Sequence, residues 1–276
     1  MTAHTLYIDG VALWSPALPG WEAAQAAFAG AAPGTAATAG LEAAPKRPAP
    51  ALLAANERRR APDTVLLALE VASRALAASG HAAADVASVF VSAHGDLPIT
   101  DALCRTLAAD PLLLSPTRFH HSVHNAASGY WAMGSGSRAA STALSAHEHS
   151  WAAGLLEAAC QCNAEQQTVL LAAYDTEAVG PLASVNRSRG LLALALVLAP
   201  QAGPASRWAL TWSVAPGSVA TPALHSDAAR ALATNAMADA LPLMEALAAG
   251  QSTRLRWPLS ATLALQIELQ ALPPAR

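Results

Sequence analysis

The sequence predicts an α/β fold, a mostly parallel sheet with helices on both faces. Three features predict it. Strand-like and helix-like segments alternate along most of the chain. The strand segments are mostly continuously apolar, as strands covered on both faces are; residues 86–92 and 191–198 are the clearest. The chain's 276 residues are enough for a sizeable core.

Taken in order, residues 6–13 read as a strand and turn, followed by Ser15-Pro16. Residues 21–28 read as a short helix. Residues 30–50, rich in Ala, Gly and Pro, read as a long surface loop. Pro62-Asp63-Thr64 opens a helix that runs to about Ser79, with Gly80 as its stop. On it Val65, Leu66, Leu69, Ala72 and Leu76 share one face. Residues 86–92 form a strand, 100–109 a helix, 125–133 a short helix and 141–145 a strand. Residues 150–162 form a helix with almost no polar side chain, which is expected to be buried. Residues 168–174, 191–198 and 208–214 read as strands, 228–249 as one helix and 262–269 as the closing strand. No internal repeat is visible.

Composition narrows the function classes. Hydrophobic residues make up 53% but aromatics only 5%, so close packing through alanine replaces a bulky aromatic core. Charged residues are 13%, few for an independent surface. Either a partner covers part of that surface or the chain carries a general alanine bias. The net charge of −3 and the lack of a basic stripe argue against nucleic acid. Arg58-Arg59-Arg60, the one basic run, is expected to cap or flank a helix. Cys104, Cys160 and Cys162 are odd in number and lack metal or disulfide spacing, so a reducing cytoplasm is expected. No signal peptide is visible and no apolar run is long enough for a membrane span.

The most informative stretch is 115–150. It holds Ser115-Pro116-Thr117-Arg118-Phe119, Asn125-Ala-Ala-Ser-Gly129, Gly136-Ser-Arg138, Ser141 and Ala146-His147-Glu148-His149-Ser150. This succession resembles the first half of a β-ketoacyl synthase of the thiolase superfamily. There a Pro-rich loop, an Asn-x-x-x-Gly helix, a Gly-x-Arg turn and a Ser-led strand run into an Ala-Cys-x-Ser nucleophile elbow. Ser-Val-His-Asn-Ala-Ala-x-Gly-Tyr-Trp at 122–131, Gly-Leu-Leu-Glu-Ala at 154–158 and Leu-Ala-Ala-Tyr-Asp at 171–175 resemble chain-length-factor-like subunits of aryl polyene-type biosynthesis. The resemblance implies a thiolase-like half-domain over residues 1–204. Residues 205–276 would be a short C-terminal strand–helix–strand extension packed on the same domain.

By this resemblance the cysteine position falls on Glu148, which cannot hold an acyl thioester. A carboxylate at a helix N-terminus is stabilised by free N–H groups, so an ordinary first-turn glutamate is favoured over a chemical role, with residual catalysis of the kind credited to glutamine in chain-length factors as a third reading. The two histidine motifs of ketosynthases, His-Gly-Thr-Gly-Thr and Lys-x-x-x-Gly-His, do not occur. His94-Gly95-Asp96 precedes the elbow and reads as a strand-to-loop turn; His81 and His225 read as structural. Five histidines, His120, His121, His124, His147 and His149, fall near the elbow without a Cys or Asp at ligand spacing. They are expected to line an interface or a mouth. Cys160 and Cys162 are expected to be buried packing residues.

The resemblance therefore implies a pseudo-ketosynthase with no catalytic residue, cofactor or metal. It would form a heterodimer with a catalytic ketosynthase subunit and, through that complex, meet an acyl carrier protein. Phe119, Asn125, Tyr130, Trp131, Met133, Ser141 and Leu144 are the candidates for an acyl tunnel or dimer interface, with ordinary core packing as the alternative. A small acyltransferase or hydrolase, or a purely stabilising scaffold, are the competing readings.

Overall fold

The computed structural model describes residues 3–30, 46–186 and 188–273; most of the expected loop at 30–50 lies outside them. The strands are β1 (His4–Trp14), β2 (Ala87–Val91), β3 (Ser141–Leu144), β4 (Val169–Asp175), β5 (Leu192–Ala199), β6 (Trp208–Pro216), β7 (Thr253–Pro258) and β8 (Leu263–Ala271). The helices are α1 (Trp21–Phe28), α2 (Ala55–Arg60), α3 (Asp63–Ser79), α4 (Leu97–Ala109) and α5 (Pro116–Ser122). They continue with α6 (Ala126–Ser135), α7 (Ser150–Glu165), α8 (Asp227–Ala231) and α9 (Leu241–Ala249).

Among the described residues the eight strands form one sheet in the order β3-β2-β4-β5-β1-β6-β8-β7. The expectation of a mostly parallel sheet is corrected: the sheet is mixed. Only β3, β2 and β4 run parallel. From β4 to β7 every neighbouring pair is antiparallel. The chain leaves β4 through residues 176–191 and returns as β5 with no crossover helix, which makes that pair antiparallel. Continuous apolarity reports burial on both faces and does not fix strand direction.

Side-chain alternation builds two cores, one on each face. In β5, Leu192, Leu194, Leu196 and Leu198 enter one core with α7 and α9. Ala193, Ala195 and Val197 face the other, against α3. The small residues on that face let α3 lie close to the strands. It is buried on nearly every side, from Thr64 to Ala72, rather than along one stripe. Its single buried acid, Glu70, pairs with Arg74 at 2.6 Å. The helix stops where expected, at Gly80, whose φ of 74° is left-handed. On the opposite face α7 approaches β2 at Gly154, where any Cβ would run into the Val91 side chain.

Other boundaries differ from expectation. Residues 6–13 are not a strand and turn. β1 runs through Asp9-Gly10 as one strand with a register shift between Ile8 and Gly10. Asp9 accepts hydrogen bonds from His81 Nε2 at 2.8 Å and Ser206 Oγ at 2.6 Å, which tie the irregular strand to its surroundings. The expected single helix 228–249 is α8, a turn and α9. Ser226 caps the first, and Asn235 interrupts the run by turning its amide onto backbone carbonyls. β7 and α5 had no clear sequence signal, and α2 only the Arg58-Arg59-Arg60 run expected to cap or flank a helix. Arg58, Arg59 and Arg60 close α2, and Arg58 donates to the carbonyls of Pro50 and Leu53.

Candidate functional site

A cavity of about 690 Å³ opens at the carboxyl ends of β2, β3 and β4. In α/β sheets this is where ligands bind. The loop after β2 brings Ala93 and His94, and the elbow after β3 brings His147, Glu148 and His149. The β4–β5 connection adds Ser184, Val185 and Asn186. The C-terminal part closes the wall with Thr221, Asn235, Ala236, Asp239 and Pro258.

The elbow is a sharp turn made of a 3-10 segment, His147–His149, that passes directly into α7. Its left-handed residue is His147, at φ 52°, one position before Glu148. A non-glycine residue there is strained. Ser150, at the start of α7, staples the turn: its hydroxyl accepts from Ala146 N–H at 2.9 Å and donates to His147 O at 2.7 Å. Glu148 is exposed. No side chain caps the α7 N-terminus; the 3-10 turn runs into it, with the Ser150 N–H bonded back to His147 O, and the helix dipole makes this end electropositive.

His94 was expected to be a mere turn residue, but the fold carries it to the elbow. Its ring meets that of His147 edge to face with centroids 5.7 Å apart. Burial, then the neighbouring His147, hold His94 below its ordinary pKa. The loop is fixed from beneath by Asp175, which accepts from Ser92 Oγ at 2.7 Å and Ala93 N–H at 2.8 Å. Burial pushes the Asp175 carboxyl up to about 7 against those bonds. Asn235 donates to the carbonyls of Asp175, Arg189 and Gly190, which locks the C-terminal wall to the strand ends. Asp239 accepts a long bond of 3.4 Å from Thr221. Burial raises its pKa, with Glu148 adding to the rise and Thr221 and His149 opposing it. Asp239 and Asn235 had no motif to announce them, and His94, though beside a recognisable strand end, read only as a turn.

The expected histidine cluster separates. His147 and His149 line the cavity. His121 bonds Tyr130 at 2.9 Å, and His124 donates to Ser92 O at 3.0 Å. Among the described residues no group of three His, Cys, Asp or Glu is arranged to hold a metal ion. Cys162 is buried, and its thiol is pushed up to about 12, by burial first and Asp9 second. Cys160 is exposed, against expectation, because it lies on the outer side of α7.

The tunnel and interface candidates fall in different environments. Trp131 is 3% exposed and packs against Phe90, centroids 6.3 Å apart, in the core beneath α3. Tyr130 is half-buried beside it. Leu144 is half-buried against the other core. Asn125 caps no helix through its side chain and is exposed. Ser141 accepts from Ser88 Oγ at 2.9 Å on the edge strand. Phe119 and Met133 stand out at 63% and 69% exposure.

The comparisons agree with this architecture. The family model for the β-ketoacyl synthase N-terminal domain matches residues 34–261, and the chain belongs to that family. The match runs past residue 204, so family sequence extends into the C-terminal part. A ketosynthase in complex with its chain length factor from Xenorhabdus doucetiae is similar at 21% identity and a TM-score of 0.71, covering 96% of this chain and 99% of that one. The ishigamide ketosynthase/chain length factor is similar at 16% identity and TM-score 0.70, covering 98% and 100%. A type II polyketide acyl-carrier protein in complex with its ketosynthase is similar at 11% identity and TM-score 0.74, also covering 98% and 100%. No curated protein sequence matches. Among the described residues no helix is long and apolar enough to cross a membrane.

Proposed function

We propose that this chain is a chain-length-factor-like subunit that pairs with a cysteine-bearing ketosynthase and takes no part in carbon–carbon condensation. The observation that carries this is a set of exposed large apolar side chains together with an open strand edge. Leu112 and Leu113 are 92% and 72% exposed, and Phe119 on α5 and Met133 on α6 are exposed as well. β3, next along the chain, is the last strand of the sheet and has one unpaired ladder. Exposed apolar groups and an open edge are what a partner covers. The similar complexes, which contain a ketosynthase with a chain length factor or a carrier protein, support the same reading.

In this role the subunit limits an acyl chain by the volume left at the interface. Phe119 and Met133 are the wall residues, since Trp131 is committed to the core. Over-filling a packed site costs about 1–3 kcal/mol, enough to disfavour one more unit roughly tenfold. The products would be polyene-type or fatty-acid-like chains on a carrier protein, made in the cytoplasm. Co-expression with a ketosynthase, tagging only this chain, tests the pairing by native mass. A stable one-to-one complex is expected. A well-behaved monomer or homodimer that ignores the ketosynthase would overturn the proposal.

A further inference from the structure

We propose that the elbow cavity is a proton-transfer site that removes water from a β-hydroxyacyl thioester, with His94 as base and Asp239 as acid. The inference rests on the reading above only for the thioester, since subunits of that kind meet carrier-bound chains. Several of the polar groups that line the cavity are left unspent. Among the described residues no side-chain hydrogen bond engages the rings of His94 and His147 or the Glu148 carboxylate, and all three line the cavity. His149 Nδ1 is buried without a partner. No lysine or arginine stands among the described lining residues. His94 comes from the sheet end and Asp239 from the C-terminal part, and both line this one cavity, so a ligand there meets a base and an acid.

Such a pair suits a reaction that only moves protons. The substrate needs a C–H made acidic by a neighbouring carbonyl and a leaving group one carbon further on. A β-hydroxyacyl thioester has both. His94 takes the proton from Cα, and that electron pair becomes the Cα=Cβ bond. The Cβ–O bond breaks, and the hydroxyl takes the Asp239 proton and departs as water. The proton on His94 returns to Asp239 through solvent, so no oxidant or reductant enters. The positive end of the α7 dipole, at the elbow, favours the enolate charge. The environments agree with the roles. Burial and His147 keep His94 neutral to lower pH than usual, whereas burial keeps Asp239 protonated to higher pH, with Glu148 reinforcing and Thr221 and His149 opposing that effect. Opposite shifts in one cavity separate base from acid.

The test uses the full chain, alone and bound to a ketosynthase, with 3-hydroxybutyryl-N-acetylcysteamine as probe and water loss read by mass spectrometry. His94→Gln and Asp239→Asn are each expected to slow the loss about a hundredfold. In D2O, exchange at Cα of butyryl-N-acetylcysteamine reads the base alone; Asp239→Asn keeps this exchange and His94→Gln loses it. No water loss by the unaltered chain, or equal loss in all three proteins, overturns the proposal and leaves the pairing test untouched.

Discussion

Asp175 holds His94 in the cavity without touching its ring: the carboxylate grips Ser92 Oγ at 2.7 Å and Ala93 N–H at 2.8 Å, immediately before the histidine. The grip is pH-sensitive. The folded carboxyl is pushed up from 3.8 to about 7, so the folded state binds the proton more tightly than the unfolded chain. The resulting stabilisation is fully present below about pH 3.8 and is lost as pH rises to about 7. At its steepest this group removes ~1.4 kcal/mol per pH unit. Urea midpoints taken between pH 4 and pH 7.5 for the unaltered chain and Asp175→Asn check this. The variant lacks this component, so the difference between the two curves changes across that window and is flat above it.

Trp131 and Phe119 look equivalent in sequence, as large aromatics twelve residues apart. The structure separates them into core and surface. Trp131→Ala is expected to cost about 3–5 kcal/mol of stability, measured by denaturant unfolding. It would therefore report on folding rather than on product length.

Phe119→Asp and Met133→Asp have the opposite signature. Both side chains are exposed, so stability should stay within about 0.5 kcal/mol. Binding to a ketosynthase should weaken at least about tenfold, or roughly 1.4 kcal/mol, measured by titration of the purified subunits. Full affinity in both variants would remove this surface from the interface.

Gly154→Ala sets two effects against each other. Alanine favours a helix interior by about 1 kcal/mol over glycine. The added Cβ at this position meets Val91, and such over-packing costs about 1–3 kcal/mol. Net destabilisation is expected, read as a lower thermal midpoint. The double variant with Val91→Ala should recover most of it.

Much of this fold was legible because local chemistry agreed with it. α3 follows from its Pro62-Asp63-Thr64 start, its apolar face and its Gly80 stop, and β5 from its continuous apolarity. Strand direction was not legible, because Val169–Asp175 and Leu192–Ala199 are equally apolar whichever way they run. The break between α8 and α9 was hidden too, since Asn235 acts through carbonyls more than forty residues away. In the site, the elbow was visible as a motif. The left-handed turn at His147, the approach of His94 and the wall from Asp239 are products of long-range packing, for which a single sequence carries little signal.

The exposed leucines have a consequence for supply. Leu112 and Leu113 form a 3-10 turn that points into solvent, and a chain left without its partner displays them continuously. Such surface is what chaperones hold and proteases remove. On the proposed pairing, the amount of this subunit would be set by the amount of ketosynthase available to cover it. Excess copies would be cleared, so that the ratio of the two proteins corrects itself after translation.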